Sequence, residues 1–160
     1  LYPVADAAQA AVMLTPDRDA YPLGRVLDYL EDPTGALTID DVVSPSVAAR
    51  FVRSQVDAPN FGYTRSAFWA RIRLRSSMAQ TTDWRLELGF ASMGQTDYYR
   101  PRTDQSGFEA IRTGMRYPFT TREIPYHRVV FALSVPPDAE QVIYLRFRNE
   151  GSMTFPLTLP

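Results

Sequence analysis

From Trp69 to Ser76 the chain alternates without a break: Trp69, Arg71, Arg73 and Arg75 fall on one parity and Ala70, Ile72 and Leu74 on the other. A period of two predicts a strand with one face in a core. The pattern recurs through the second half. Trp84, Leu86, Leu88 and Phe90 alternate with Arg85, Glu87 and Gly89; Val129, Phe131, Leu133 and Val135 with smaller or polar partners; Ile143, Leu145 and Phe147 with Tyr144, Arg146 and Arg148. Met153, Phe155, Leu157 and Leu159 close the chain. Earlier strands are predicted at Leu23 to Leu30, Phe51 to Arg53, Asp97 to Arg100 and Phe108 to Arg112, each near turn-forming residues. About nine strands result.

Helical signals are few. Thr38, followed three residues later by Asp41, predicts a capped turn from Ile39 to Val43 that ends at Ser44-Pro45. Val47 to Ser54 reads as a second turn or a short strand. Thirteen prolines, well spread, argue for loops over long helices. Short strands without intervening long helices predict an all-β fold, an antiparallel jelly-roll sandwich with one or two short helical turns. With 45% hydrophobic residues in 160, one domain with one sizeable core is the expectation, since a chain of this size buries roughly 70% of its unfolded surface. Residues 1–20 read as a lead-in arm and residues 21–160 as the domain. The chain opens on Leu1, as a processed piece of something longer would. Its apolar stretch Ala7 to Leu14 is far short of the roughly 20 residues that span a bilayer.

Composition then removes most chemistry. A formal net charge of -1 lacks the basic footprint of a nucleic-acid binder. All 17 basic residues are arginine, and there is no cysteine for disulfides or thiolate ligation. The one histidine, His127, is placed by the pattern inside a strand from Tyr126 to Val135 and reads as structural or surface. No G-x-S-x-G elbow and no phosphate-cradling glycine loop accompanies it. Acid pairs such as Asp17/Asp19, Glu31/Asp32 and Asp40/Asp41 are explained by turns and caps. Asp57 and Asn60 supply oxygen ligands of the kind calcium uses, without the acid density of a dedicated calcium loop. The residues therefore point to no catalytic centre, no cofactor and, at most, calcium.

The arginine-bearing strands remain. Alternate residues on a strand lie about 6.6 Å apart, so Trp69, Arg71 and Arg73 form a row, and Tyr144, Arg146 and Arg148 repeat it as Y-x-R-x-R. In one sheet these make a face of aromatic rings beside guanidinium forks, with Glu87 as a hydrogen-bond partner. Rings stack on sugars, and forks grip carboxylates or hydroxyl pairs, so the face suits a carbohydrate or similar small polar ligand. The alternative is a solvated face whose arginines pair with acids across strands.

Several segments form a familiar order. Leu23 to Pro33 reads LGRVLDYLEDP, Leu37 to Val42 reads LTIDDV, and Asn60 to Arg71 reads NFGYTRSAFWAR; Trp84 to Glu87, Tyr144 to Arg146 and Leu157 to Leu159 follow. Over residues 21 to 160 this resembles 7TMR-DISMED2, the extracellular domain at the front of bacterial seven-helix receptors with diverse intracellular signalling modules. The resemblance implies a sandwich similar to carbohydrate-binding modules, located in the periplasm and joined to an inner-membrane receptor of histidine kinase or diguanylate cyclase type. Trp69 to Arg71 and Tyr144 to Arg146 match the family pattern; Arg73 and Arg148 extend it. The family also leaves open that Trp69 and Arg71 hold the fold, with the ring buried and the guanidinium satisfied internally. The reading is a ligand-sensing domain with no catalysis of its own. Its partners would be a carbohydrate or small polar ligand, a second copy, or another receptor's sensor domain. The rivals are a protein-interaction domain and a carbohydrate-binding module of a secreted enzyme.

Overall fold

The computed structural model describes residues 10–104 and 106–160; residues 1–9 of the arm expected over 1–20 lie outside them. Among the described residues thirteen strands form: β1 Val12–Leu14, β2 Tyr21–Pro22, β3 Asp28–Asp32, β4 Val52–Arg53, β5 Asn60–Tyr63, β6 Ala67–Ser76, β7 Thr82–Leu88, β8 Gln95–Pro101, β9 Phe108–Thr113, β10 Val129–Val135, β11 Gln141–Arg148, β12 Ser152–Thr154 and β13 Leu157–Leu159. Two short helices, α1 Ile39–Val43 and α2 Pro45–Ala48, sit between β3 and β4, and a 3-10 turn spans Phe119–Thr121.

The fold is all-β, as expected. One sheet has the order β4-β3-β6-β11-β8-β9, with β1 added parallel to the end of β6; a second has the order β10-β7-β13-β2; β5 and β12 pair separately. Inward residues of the two large sheets meet in one core. Phe68, Ile72, Leu74, Ile143, Leu145, Phe147 and Tyr98 come from the first, and Leu86, Leu88, Phe131, Leu133, Val135 and Leu157 from the second. These are the apolar parities of the alternating segments, so the pattern and the pleat agree. Phe147 stacks on Phe155 at 4.6 Å and Tyr98 on Phe131 at 4.5 Å.

The strands that alternation did not predict are short ones. Two to four residues give no readable period, and β1, β2 and β5 are all of that length. The closing segment expected as one strand is split into β12 and β13 around Pro156, which has no N–H to give a ladder. Val47 to Ser54 divides into the end of α2 and β4. His127 lies outside its expected strand: β10 starts at Val129, and His127 is an exposed loop residue beside the Tyr126 ring. Part of the expected arm is held by the sheet, since Val12–Leu14 pairs with Leu74–Ser76 and Leu14 is buried.

The helix start is as the sequence predicts. Thr38 caps α1 in a reciprocal box, its side-chain oxygen accepting from the Asp41 N–H at 3.3 Å while the Asp41 carboxylate accepts from the Thr38 N–H at 2.8 Å. Gly24 is required by crowding: a Cβ there would overlap the Asp57 carbonyl. Replacing Thr38 by alanine is expected to cost about 1 kcal/mol and lower the melting temperature by roughly 2–4 °C in a chain this size, read by calorimetry.

Candidate functional site

Strand register assembles two rows on the outer face of the larger sheet. The first runs Arg53, Asp28, Arg71, Tyr144, Tyr99 across β4, β3, β6, β11 and β8; the second runs Leu30, Trp69, Arg146, Asp97, Arg112 across β3, β6, β11, β8 and β9. Five of the predicted residues, Trp69, Arg71, Tyr144, Arg146 and Arg148, thus share one face. Arg73 shares it too, but lies toward the end of β6.

This face is roofed along one side. Residues of α1 and α2, with Leu37 and Phe51, lie over β3 and β6, and a second small core forms from Leu30, Val42, Phe51, Trp69 and Tyr144. Trp69 has 0% of its surface exposed and stacks on Tyr99, ring centroids 5.7 Å apart. Tyr144 is wedged edge-on between Phe51 and Phe108. The Trp69 ring therefore offers no open face to stack on a ligand, which matches the fold-holding alternative the family pattern allowed.

Two buried carboxylates account for the arginines. Asp28 accepts from Arg53 at 2.8 Å and from Arg71 at 3.1 Å, and it is 1% exposed. Arg71 also donates to the Ala48 carbonyl at 3.2 Å and lies over the Phe51 ring at 4.3 Å. Asp97 accepts from Arg112 at 2.6 Å, Gln95 at 3.0 Å and Arg146 at 3.4 Å. Arg146 turns its remaining terminal nitrogen to the Gly35 carbonyl at 2.9 Å. Burial pushes the Asp28 carboxyl up, while Arg53 and Arg71 pull it partway back. Burial likewise raises the Tyr144 and Tyr99 hydroxyls, the latter helped by the Asp97 charge.

The other predicted residues are placed elsewhere. Arg73 and Arg75 pair with Glu140, at 2.8 and 3.7 Å. Glu87 does not join the face: it stands on β7 in the second sheet, opposite Val130 and Thr158, and meets Arg128 at 3.3 Å. Alternation sets a residue's side of its strand but not which sheet the strand enters. Asp57 is paired with Arg25 at 2.7 Å, and the Asn60 side-chain oxygen accepts from the Gly62 N–H at 2.9 Å. Among the described residues no group of three or more His, Cys, Asp or Glu is arranged to hold a metal.

Open space lies at the margins of the sandwich. A cavity of about 600 Å³ is bounded by Arg100, Pro101, Arg102 and Glu109 at the β8–β9 end, by Leu133 and Ser134 of β10, and by Gln141 at the start of β11. Arg100 is fixed there by Glu123 at 2.6 Å, Glu109 at 3.1 Å and the Ala132 carbonyl at 2.8 Å. A second hollow of about 350 Å³ is lined by Thr64, Arg65, Arg116, Arg148, Asn149 and Glu150. Of the residues predicted from sequence, Arg148 alone lines either space. The larger cavity draws on the ends of four strands, and no local pattern marks such ends.

The geometry is that of an all-β sandwich with its interior charges tied to one another. The family model 7TMR-DISMED2, described as 7TMR-DISM extracellular 2, matches residues 24–160, and the chain belongs to that family. It is an extracellular domain of the seven-transmembrane receptor class. No curated protein matches the chain. Among the described residues no helix is long and apolar enough to cross a membrane.

Removing the Asp28 carboxylate strands two guanidinium groups, one of them 2% exposed. Asp28→Ala is expected to cost about 3–5 kcal/mol, whereas Arg75→Ala, at an exposed pair, costs under about 0.5 kcal/mol. Equilibrium urea unfolding of both variants checks the contrast.

Proposed function

We propose that this domain is the ligand-sensing part of a bacterial signalling receptor, facing the periplasm, and that it takes a small polar ligand of the carbohydrate class in the 600 Å³ cavity. The observation that carries this reading is the cavity's lining. Thr81, Thr103, Gln141 and Arg102 bring polar groups to a lining that also holds Pro101, Leu133 and Pro136, and Ser134, whose hydroxyl donates to Asp83 at 2.8 Å, completes it. A sugar presents the same combination, with hydroxyl pairs at its edges and C–H faces between. Arg100 is already neutralised by Glu109 and Glu123, so the cavity favours a neutral ligand. In a receptor, binding signals only if the ligand prefers one arrangement of the protein over another.

A second reading, docking onto a second copy or another receptor's sensor domain, is favoured by Met115, Phe119 and Tyr126, exposed at 64, 56 and 45% in the stretch that follows β9.

A neutral oligosaccharide at about one hundred times its dissociation constant adds about 2.7 kcal/mol to native stability, which raises the melting temperature by roughly 5–10 °C. Arg102→Ala, at an exposed position, is expected to weaken binding about tenfold without lowering the melting temperature of the free domain. A screen in which no saccharide shifts the transition, together with concentration-dependent self-association lost on Phe119→Ser, would replace the cavity reading by the docking one.

A further inference from the structure

The smaller hollow differs from the cavity in its charge. Arg65 leaves the loop before β6, Arg116 follows β9, and Arg148 ends β11, so three guanidinium groups from distant parts of the chain border about 350 Å³ of space. One carboxylate, Glu150, lines it as well, exposed and paired with Arg116 at 2.9 Å. Arg65 and Arg148 have no carboxylate partner among the described residues. The lining therefore carries a surplus of two positive charges, in a protein whose formal net charge is -1.

The remaining lining groups are fixed or are donors. The Asn149 side chain is committed at both ends, accepting from the Gly94 N–H at 3.0 Å and donating to the Ser152 carbonyl at 2.7 Å, which holds the turn that carries Arg148 and Glu150. The Thr64 oxygen accepts from the Ser66 N–H at 3.1 Å, leaving its own O–H to donate inward. Gly35 sets the depth of Arg148. It has a positive φ of 69°, and a Cβ there would come within 2.6 Å of an Arg148 terminal nitrogen, so the guanidinium lies against bare backbone. The Gly35 carbonyl is itself held by Arg146.

We infer that this hollow is an oxyanion site, recognising a carboxylate, phosphate or sulfate group through forked hydrogen bonds from Arg65 and Arg148, with Thr64 as a third donor. Guanidinium is the side chain whose paired N–H groups match such oxygens. The group is carried by a small acidic solute, either a sugar acid or a free inorganic anion. The site is separate from the neutral cavity and does not depend on it. Arg148 lies against Gly35, whose carbonyl accepts from Arg146, so the site adjoins the Asp97 cluster.

The test is calorimetric titration of the chain with glucuronate, inorganic phosphate and glucose at constant ionic strength. Saturable binding of glucuronate or phosphate is expected at the charged hollow, and any glucose binding, which belongs to the neutral cavity, is expected to be unchanged by substitutions at Arg65 or Arg148. Tighter glucuronate marks a sugar acid as the source, and tighter phosphate a free anion. Arg65→Gln and Arg148→Gln each weaken binding about tenfold, whereas Glu150→Gln, which releases Arg116, strengthens it. Arg102→Ala in the other cavity leaves it unchanged. Absence of saturable anion binding, glucose binding weakened as much as anion binding by the same two substitutions, or anion affinity indifferent to both arginine substitutions overturns the site.

Discussion

A guanidinium is a permanent charge in proteins, yet Arg71 is 2% exposed. A buried lysine or histidine can lower its cost by releasing its proton; a guanidinium cannot, so its burial demands a fixed negative partner. Asp28 is that partner, and the requirement reaches outward. The same carboxylate draws Arg53 of β4 against the sheet, while Arg71 takes the carbonyl at the end of α2 and covers the Phe51 ring. One carboxylate with its two guanidinium partners thus fixes an edge strand, a helix end and a roof residue relative to β6. Asp97 does the equivalent on the far side of β11, collecting Arg112, Arg146 and Gln95 and, through Arg146, the Gly35 loop. What alternation presents as a row of surface arginines is the polar layer of a second core.

That layer explains which parts of the structure were legible in the sequence. β10 appears over the alternating Val129–Val135 part of its predicted strand, and α1 appears with its Thr38–Asp41 box, because both depend on neighbours in sequence. Trp69 and Tyr144 were placed on one face correctly, since register follows from parity once the strands pair. The roof was not legible: whether a polar face meets water or a pair of helices is decided by the loop between β3 and β4, whose own pattern is only two short turns. Glu87 shows the same limit, being on the right kind of strand in the other sheet. The cavity at Arg100 and Gln141 assembles from strand ends brought together by the fold, and strand ends carry no period.

Function follows the same division. The chain is an extracellular domain of the seven-transmembrane receptor class. Its arginine-rich face, with both carboxylates committed and the tryptophan covered, supplies stiffness. The recognition we propose lies at the margins, where strand ends and turns leave polar groups around open space. The two hollows differ in charge, one balanced and one with a surplus of positive groups, so the ligands proposed for them differ in charge. The Gly35 loop touches Arg146 and Arg148 together, and it joins the charged hollow to the stiff layer beneath.

The central claim is that the outer sheet face around Trp69 is closed. The chain has two tryptophans, and Trp84 lies half-buried against Tyr21 in the other sheet, so a Trp84→Phe variant leaves Trp69 as the sole indole emitter. Acrylamide quenching of that variant is the direct measurement. The account predicts a blue-shifted emission with a shallow quenching slope that steepens only when urea unfolds the domain. Emission near that of free indole in water, quenched steeply in the native state, would contradict it and return the arginine face to solvent.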